Sequence, residues 1–245
     1  MFSYQSSPKV RNSIFRNNKA KDGGAMANQD NSSPILTNVI FIQNQATADG
    51  GAIYNVDSST PTFVNITVVG NTDTGGGDGI YNSNHAISAL YNSIIWDVVH
   101  GIYTAQNSLI KGRTDTDYGN LDATGVTNAS IFTDYANGDY SLKHNSPAVD
   151  AGSNALYTSA GGDIANDVDF AGNPRLYDGP SATDNIDLGV YEYHDIINPV
   201  LTSLTTANFE ENGTGTVYTV TATDANTITY SLGNANDEAL FNIIG

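Results

Sequence analysis

A step of about 27 residues recurs through the first half of this chain, and a period of that length carried by short apolar runs admits few folds. Asn38-Val39-Ile40-Phe41, Asn65-Ile66-Thr67-Val68 and Asn92-Ser93-Ile94-Ile95 begin 27 residues apart, and Asn12-Ser13-Ile14-Phe15 lies 26 residues before the first. Glycine-rich segments keep the same step: Gly24-Ala25-Met26-Ala27-Asn28, Gly51-Ala52-Ile53-Tyr54-Asn55 and Gly79-Ile80-Tyr81-Asn82. Self-similarity at this period marks a solenoid, in which each repeat buries against its neighbours a face it cannot bury alone. Runs of three to six apolar residues among Gly, Asn and Thr read as strands, not helices.

Each period holds three such runs, typified by Asn38 to Ile42, Ala52 to Tyr54 and Pro61 to Val64. The expected fold is therefore all-β: a single-stranded parallel β-helix with three strands and three corners per coil, coils stacked about 4.8 Å apart. Three apolar columns should fill it: Phe15/Phe41/Val68/Ile95, Met26/Ile53/Ile80/Ile102 and Leu36/Phe63/Leu90. Asparagine recurs as Asn12/Asn38/Asn65/Asn92, Asn18/Asn44/Asn71 and Asn28/Asn55/Asn82. At a corner Asn tolerates left-handed backbone geometry, and its amide can bond to groups the turn leaves unpaired.

The alternation of Asn-x-x-Phe-x-x-Asn (Asn12 to Asn18, Asn38 to Asn44) with Gly50 to Asn55 resembles the right-handed parallel β-helix repeats of bacterial surface and secreted proteins, the polymorphic outer membrane proteins among them. Further on, Asp139-Tyr140-Ser141-Leu142, Ser146 to Gly152, Gly172-Asn173-Pro174-Arg175 and Asp187 to Glu192 resemble the closing segment of choice-of-anchor Q proteins. The resemblance spans residues 10 to 193 and implies a β-helix of a large exported bacterial protein, located at the outer surface or outside the cell. It implies no reaction. Repeats that begin almost at Met1 leave the first coil uncapped, so we expect the chain to continue upstream, where an export signal would lie.

The regular step fades after Asn92. Gly101-Ile102-Tyr103 follows Gly79-Ile80-Tyr81 by 22 residues, and Asn107 follows Asn92 by 15, so coils shorten or lose a wall. The expected organisation is a β-helix over 1–150, with 128–150 as its last irregular coil, a C-terminal cap over 151–193 and a linker over 194–200. An incomplete module follows over 201–245. In that module Phe209 to Gly213, Ala222 to Asn226, Ile228 to Leu232 and Leu240 to Ile243 resemble the first half of a cadherin-like repeat. About 45 residues are present where a sandwich of that kind has about 100. The resemblance implies Ca²⁺ held by Glu211, Asp224 and Asn226, with Asp195 and Asn198 as a degraded linker motif. Asn226 stands where the family usually has a second carboxylate. Further domains of the same polypeptide are the partners this arrangement implies.

Nine Lys and Arg stand against 26 Asp and Glu, a formal charge of −17, which argues against nucleic acid and anionic membranes as partners. No transmembrane segment is expected in this chain, and a monomer is. Two site readings follow from the columns. Tyr54, Tyr81 and Tyr103 alternate with the inward Met/Ile column, so their rings should face outward and offer stacking surfaces to a glycan. Alternatively Asp22, Asp49, Asp73 and Asp78, beside the Gly-Gly corners, would form an acidic edge. A polysaccharide lyase or glycoside hydrolase acting on an acidic polysaccharide would need such carboxylates. Basic candidates for that chemistry are few: Lys111, Arg113, His85 and His100. The reading that best fits is a nonenzymatic structural or adhesive region that binds a glycan. Ile42, Val69 and Trp96 form another outward column, which we expect a loop or the 151–193 segment to cover.

Overall fold

The computed structural model describes residues 1–176 and 185–194, and beyond them only the strand pair Val200–Leu201 and Ala222–Thr223. Residues 1–194 form one compact unit and residues 195–245 a second. In the second unit Val200–Leu201 pairs antiparallel with Ala222–Thr223. The cadherin-like strands expected around Thr216 to Thr221 and Thr227 to Leu232 lie outside the described residues.

The first unit is a parallel β-solenoid. Its long wall is built of Lys9–Arg16, Ile35–Ile42 and Thr62–Val69, continued by Ser88–Tyr91 with Ile94–Ile95 and then Tyr103–Gln106 with Leu109–Ile110. A second wall stacks Phe2–Tyr4, Met26–Gln29, Ile53–Asn55, Ile80–Asn82 and Val99–His100, all in parallel register. A short third pair, Lys19–Ala20 on Gln45–Ala46, extends to Thr72 through a single bridge.

Two of the three expected runs fuse in the long wall, and asparagine is the reason. Asn12, Asn38, Asn65, Asn92 and Asn107 all have positive φ, between 44° and 56°. One left-handed residue bends the strand and shifts its alternation, so Leu36 points inward before the bend and Val39 and Phe41 point inward after it. Both halves of the strand then serve the same core. Phe15, Phe41, Val68 and Ile95 are in register as expected, and Ile110 continues them. Phe15 and Phe41 stack with centroids 5.0 Å apart.

The asparagine columns are hydrogen-bonded ladders. Asn18 donates to Asn44 and Asn44 to Asn71, each at 2.9 Å; Asn28 donates to Asn55 and Asn55 to Asn82, each at 2.8 Å. The first of these ends on Asp97, whose buried carboxylate accepts from the Asn71 amide at 2.8 Å and from the backbone N–H groups of Gly70 and Asn71 at 2.9 Å. A carboxylate only accepts, so it closes a ladder where the next coil no longer supplies a rung.

Three expectations change after Asn92. Ile102 does not continue the Met26/Ile53/Ile80 column: it is 66% exposed, and Val99 pairs with Ile80 instead. The coil from Ser88 to Tyr103 spans only 15 residues because it drops the Gly-Gly corner and the short pair, so the second wall is reached three residues sooner. Parallel pairing ends with the bridge from Leu109 to Leu121. Residues 128–150 are thus no last coil. They form a helical turn, Asn128–Ile131, and an antiparallel pair, Phe132–Asp134 with Asp139–Leu142. These lie against the outer face of the long wall together with 186–193, and Ile40, Ile42, Val69, Ile94, Trp96 and Leu109 are buried beneath Phe132, Tyr140, Leu142, Leu188 and Val190. The expected cover exists, but two segments share it.

Candidate functional site

With the long wall covered, the outer face of the second wall is where the expected aromatic column lies. Strand alternation sends Ile53 and Ile80 inward and leaves Tyr54 and Tyr81 half-buried on the outside. Their rings stack at 5.7 Å with planes 19° apart. The next rung is His100, stacked on Tyr81 at 4.5 Å and 8°.

Tyr103 is therefore not part of this column. Its strand pairs with Ser88–Tyr91 in the long wall, and its ring lies 5.8 Å from the Arg113 guanidinium. Gly101-Ile102-Tyr103 imitates the Gly79-Ile80-Tyr81 motif, but hydrogen-bond register decides the position, and the shortened coil delivers Val99–His100 to it. Read toward the N-terminus, the same column runs from Tyr54 to Ala27 to Phe2. Stepping 27 residues back from Tyr54 in the sequence lands on Ala27, a signal available without coordinates. Because Tyr54, Tyr81 and His100 turn their faces on one another, they meet solvent with ring edges. The outer faces that stay open are those at the ends of the stack.

The acidic residues lie at the corner that precedes this wall. Asp73 accepts the N–H groups of Gly50 at 2.9 Å and Gly76 at 3.0 Å, and Asp78 accepts the N–H of Asp73 at 3.0 Å. A side chain on Gly75 would fall on the Asp49 carboxylate, so the bare glycine makes room for it. Asp22 sits 3.7 Å from Lys21. Desolvation raises the Asp73 pKa, the backbone bonds from Gly76 and Gly50 oppose it, and Asp78 and Asp49 push it further up. Burial, then Asp49, raises that of Tyr81, which places the corner's negative field beside the aromatic stack. These carboxylates fasten turn backbone.

The cap holds the most deeply buried charges. Arg175 is fully buried, 3.1 Å from Glu192, with its guanidinium 5.3 Å from the centre of the Tyr157 ring. Asp187 accepts from the backbone N–H groups of Asp150 and Tyr193, and Asp169 from that of Glu192. Asn65 on the long wall donates to the carbonyls of Asp187 at 3.0 Å and Gly189 at 3.1 Å, stitching this segment to the solenoid. Among the described residues no group of His, Asp and Glu is arranged to hold a metal ion. The expected Ca²⁺ ligands Asp195, Glu211, Asp224 and Asn226 lie outside the described residues.

Residues 38–56 match the Chlamydia polymorphic membrane protein repeat. The stretch runs from the left-handed Asn38 through Phe41 and the Gly50-Gly51 corner to the strand bearing Tyr54, one bend, one corner and one rung. The chain matches no curated protein and no solved structure. Among the described residues no helix is long and apolar enough to cross a membrane.

Proposed function

We propose that this chain is a structural and adhesive β-solenoid of a large exported bacterial surface protein, and that the ligand of its second wall is a neutral glycan. The observation that carries the reading is the contrast between the two outer faces. Two segments seal the apolar face of the long wall, whereas the aromatic face of the second wall is left uncovered among the described residues. The short match to a surface-protein repeat supports the export and display of the domain. Aromatic rings offer apolar contact to sugar C–H groups without any basic residue, and the acidic corner beside them repels polyanions.

The test is a glycan array followed by calorimetry with the protein in excess chelator. Binding of a neutral oligosaccharide that survives chelator and is lost in a Tyr54→Ala, Tyr81→Ala double variant supports the reading. Binding of an acidic polysaccharide that needs Ca²⁺, or release of an unsaturated product from it, would transfer the function to lyase chemistry at the Asp49, Asp73 and Asp78 corner.

A further inference from the structure

The aromatic column has a missing rung. In register across the outer face of the second wall stand Phe2, Ala27, Tyr54, Tyr81 and His100, and only Ala27 lacks a ring. The strand carrying it alternates in the same sense as its neighbours, with Met26 and Asn28 buried and Ala27 and Gln29 partly exposed. Phe2 is 66% exposed and makes no ring contact. The face of Tyr54 opposite Tyr81 therefore opens over a methyl group, with Phe2 one strand further on.

We infer that the gap over Ala27, between Phe2 and Tyr54, is a binding slot for a single pyranose ring of an uncharged sugar. Two strand steps separate the flanking side chains by about 9.6 Å. The neighbouring one-step ring pairs in this molecule are spaced 5.7 Å and 5.0 Å, so the column keeps close to that pitch. A flat aromatic or guanidinium plane touching both walls needs only about 7–8 Å. The remainder suits a chair, whose carbons lie in two layers and whose axial hydrogens project to either side.

The edges of the slot carry matching chemistry. Asp22 stands at the corner where the Ala27 strand begins, and Gln29 and Asp30 where it ends, with Gln5 donating to Asp30 at 2.6 Å and Gln29 to Asp57 at 3.1 Å. Carboxylates and amides at both ends of an apolar slot are acceptors and donors for equatorial hydroxyls. They exclude a uronate or sulfated ring by charge.

The inference rests on the adhesive reading above, and one variant separates the two. Ala27→Tyr supplies the missing rung: it should extend the Tyr54, Tyr81 stack, keep or raise the thermal midpoint, and weaken binding at least tenfold while every native aromatic residue stays in place. Phe2→Ala, at an exposed position, should weaken binding similarly by removing one side of the slot. The probes are maltohexaose, cellohexaose and a hexa-arginine peptide, measured by calorimetry. If a hexaose binds Ala27→Tyr as well as the native chain yet fails on the Tyr54, Tyr81 double variant, the slot is wrong and the column reading stands. Absence of hexaose binding to the native chain overturns both. Hexa-arginine binding that Ala27→Tyr abolishes, without any hexaose binding, overturns the sugar in favour of a cationic plane.

Discussion

At the scale of single residues, a few positions do disproportionate structural work because the solenoid repeats one environment. Phe41 is fully buried, stacked on Phe15 and in register with Val68. Its neighbours are held by ladders above and below, which limits collapse into the space left by truncation. Phe41→Ala is expected to cost about 3–5 kcal/mol in urea unfolding; a cost under about 1 kcal/mol would remove Phe41 from the core. Asp97 makes a subtler case. Its two oxygens take three donors, so Asp97→Asn turns one oxygen into an N–H₂ that faces a backbone N–H. We expect a loss of about 1–3 kcal/mol despite identical shape. A neutral result would mean that any amide can end the ladder.

At the scale of elements, the cap is held by charges that the fold would rather protonate. Burial pushes the Asp187 pKa up from 3.8 to about 7, against the bonds it accepts from Asp150 and Tyr193, and burial raises Glu192 well above its usual value in spite of Arg175. A folded pKa above the unfolded one means that the native state binds more protons between the two values. The stability from Asp187 is thus complete below about pH 4 and is lost as pH rises through about 7, with a slope of up to about 1.4 kcal/mol per pH unit. Unfolding free energy should be higher at pH 5 than at pH 8, and Asp187→Asn should flatten that difference while Glu192 keeps part of it. Stability that instead rises with pH would show Asp187 ionised without penalty. The same cap marks what could be read from sequence. Phe41 and Tyr54 declare their columns because one step recurs around them. Trp96 declares only that something must cover it, because the covering segments, Phe132–Asp134 with Asp139–Leu142 and 186–193, repeat nothing. Tyr103 was misplaced for the converse reason: a local motif persisted after the coil that gave it its register had shortened.

At the scale of the whole molecule, charge is the dominant unspent term. Against 26 acidic residues there are nine basic ones. Four ion pairs join described residues, and those of Lys21 and Arg113 link near neighbours in sequence without tying coils together. Most of the carboxylate repulsion is left to solvent and salt. The Debye length shrinks from about 30 Å at 0.01 M to about 10 Å at 0.1 M, so added NaCl should screen neighbouring coils from one another and raise the thermal midpoint. Each kcal/mol gained corresponds to about 2–4 °C for a chain of this size. A midpoint that falls with NaCl would contradict self-repulsion. Screening depends on ionic strength alone, whereas a Ca²⁺ site adds binding energy on top of it. Melting in CaCl₂ and NaCl at matched ionic strength therefore separates the two. If Asp195, Glu211, Asp224 and Asn226 hold Ca²⁺, the CaCl₂ curve lies above the NaCl curve and Asp224→Asn brings them together. Coincident curves for the native chain would leave the acidic residues as a solvated surface and rule out the calcium site that the cadherin-like resemblance implies.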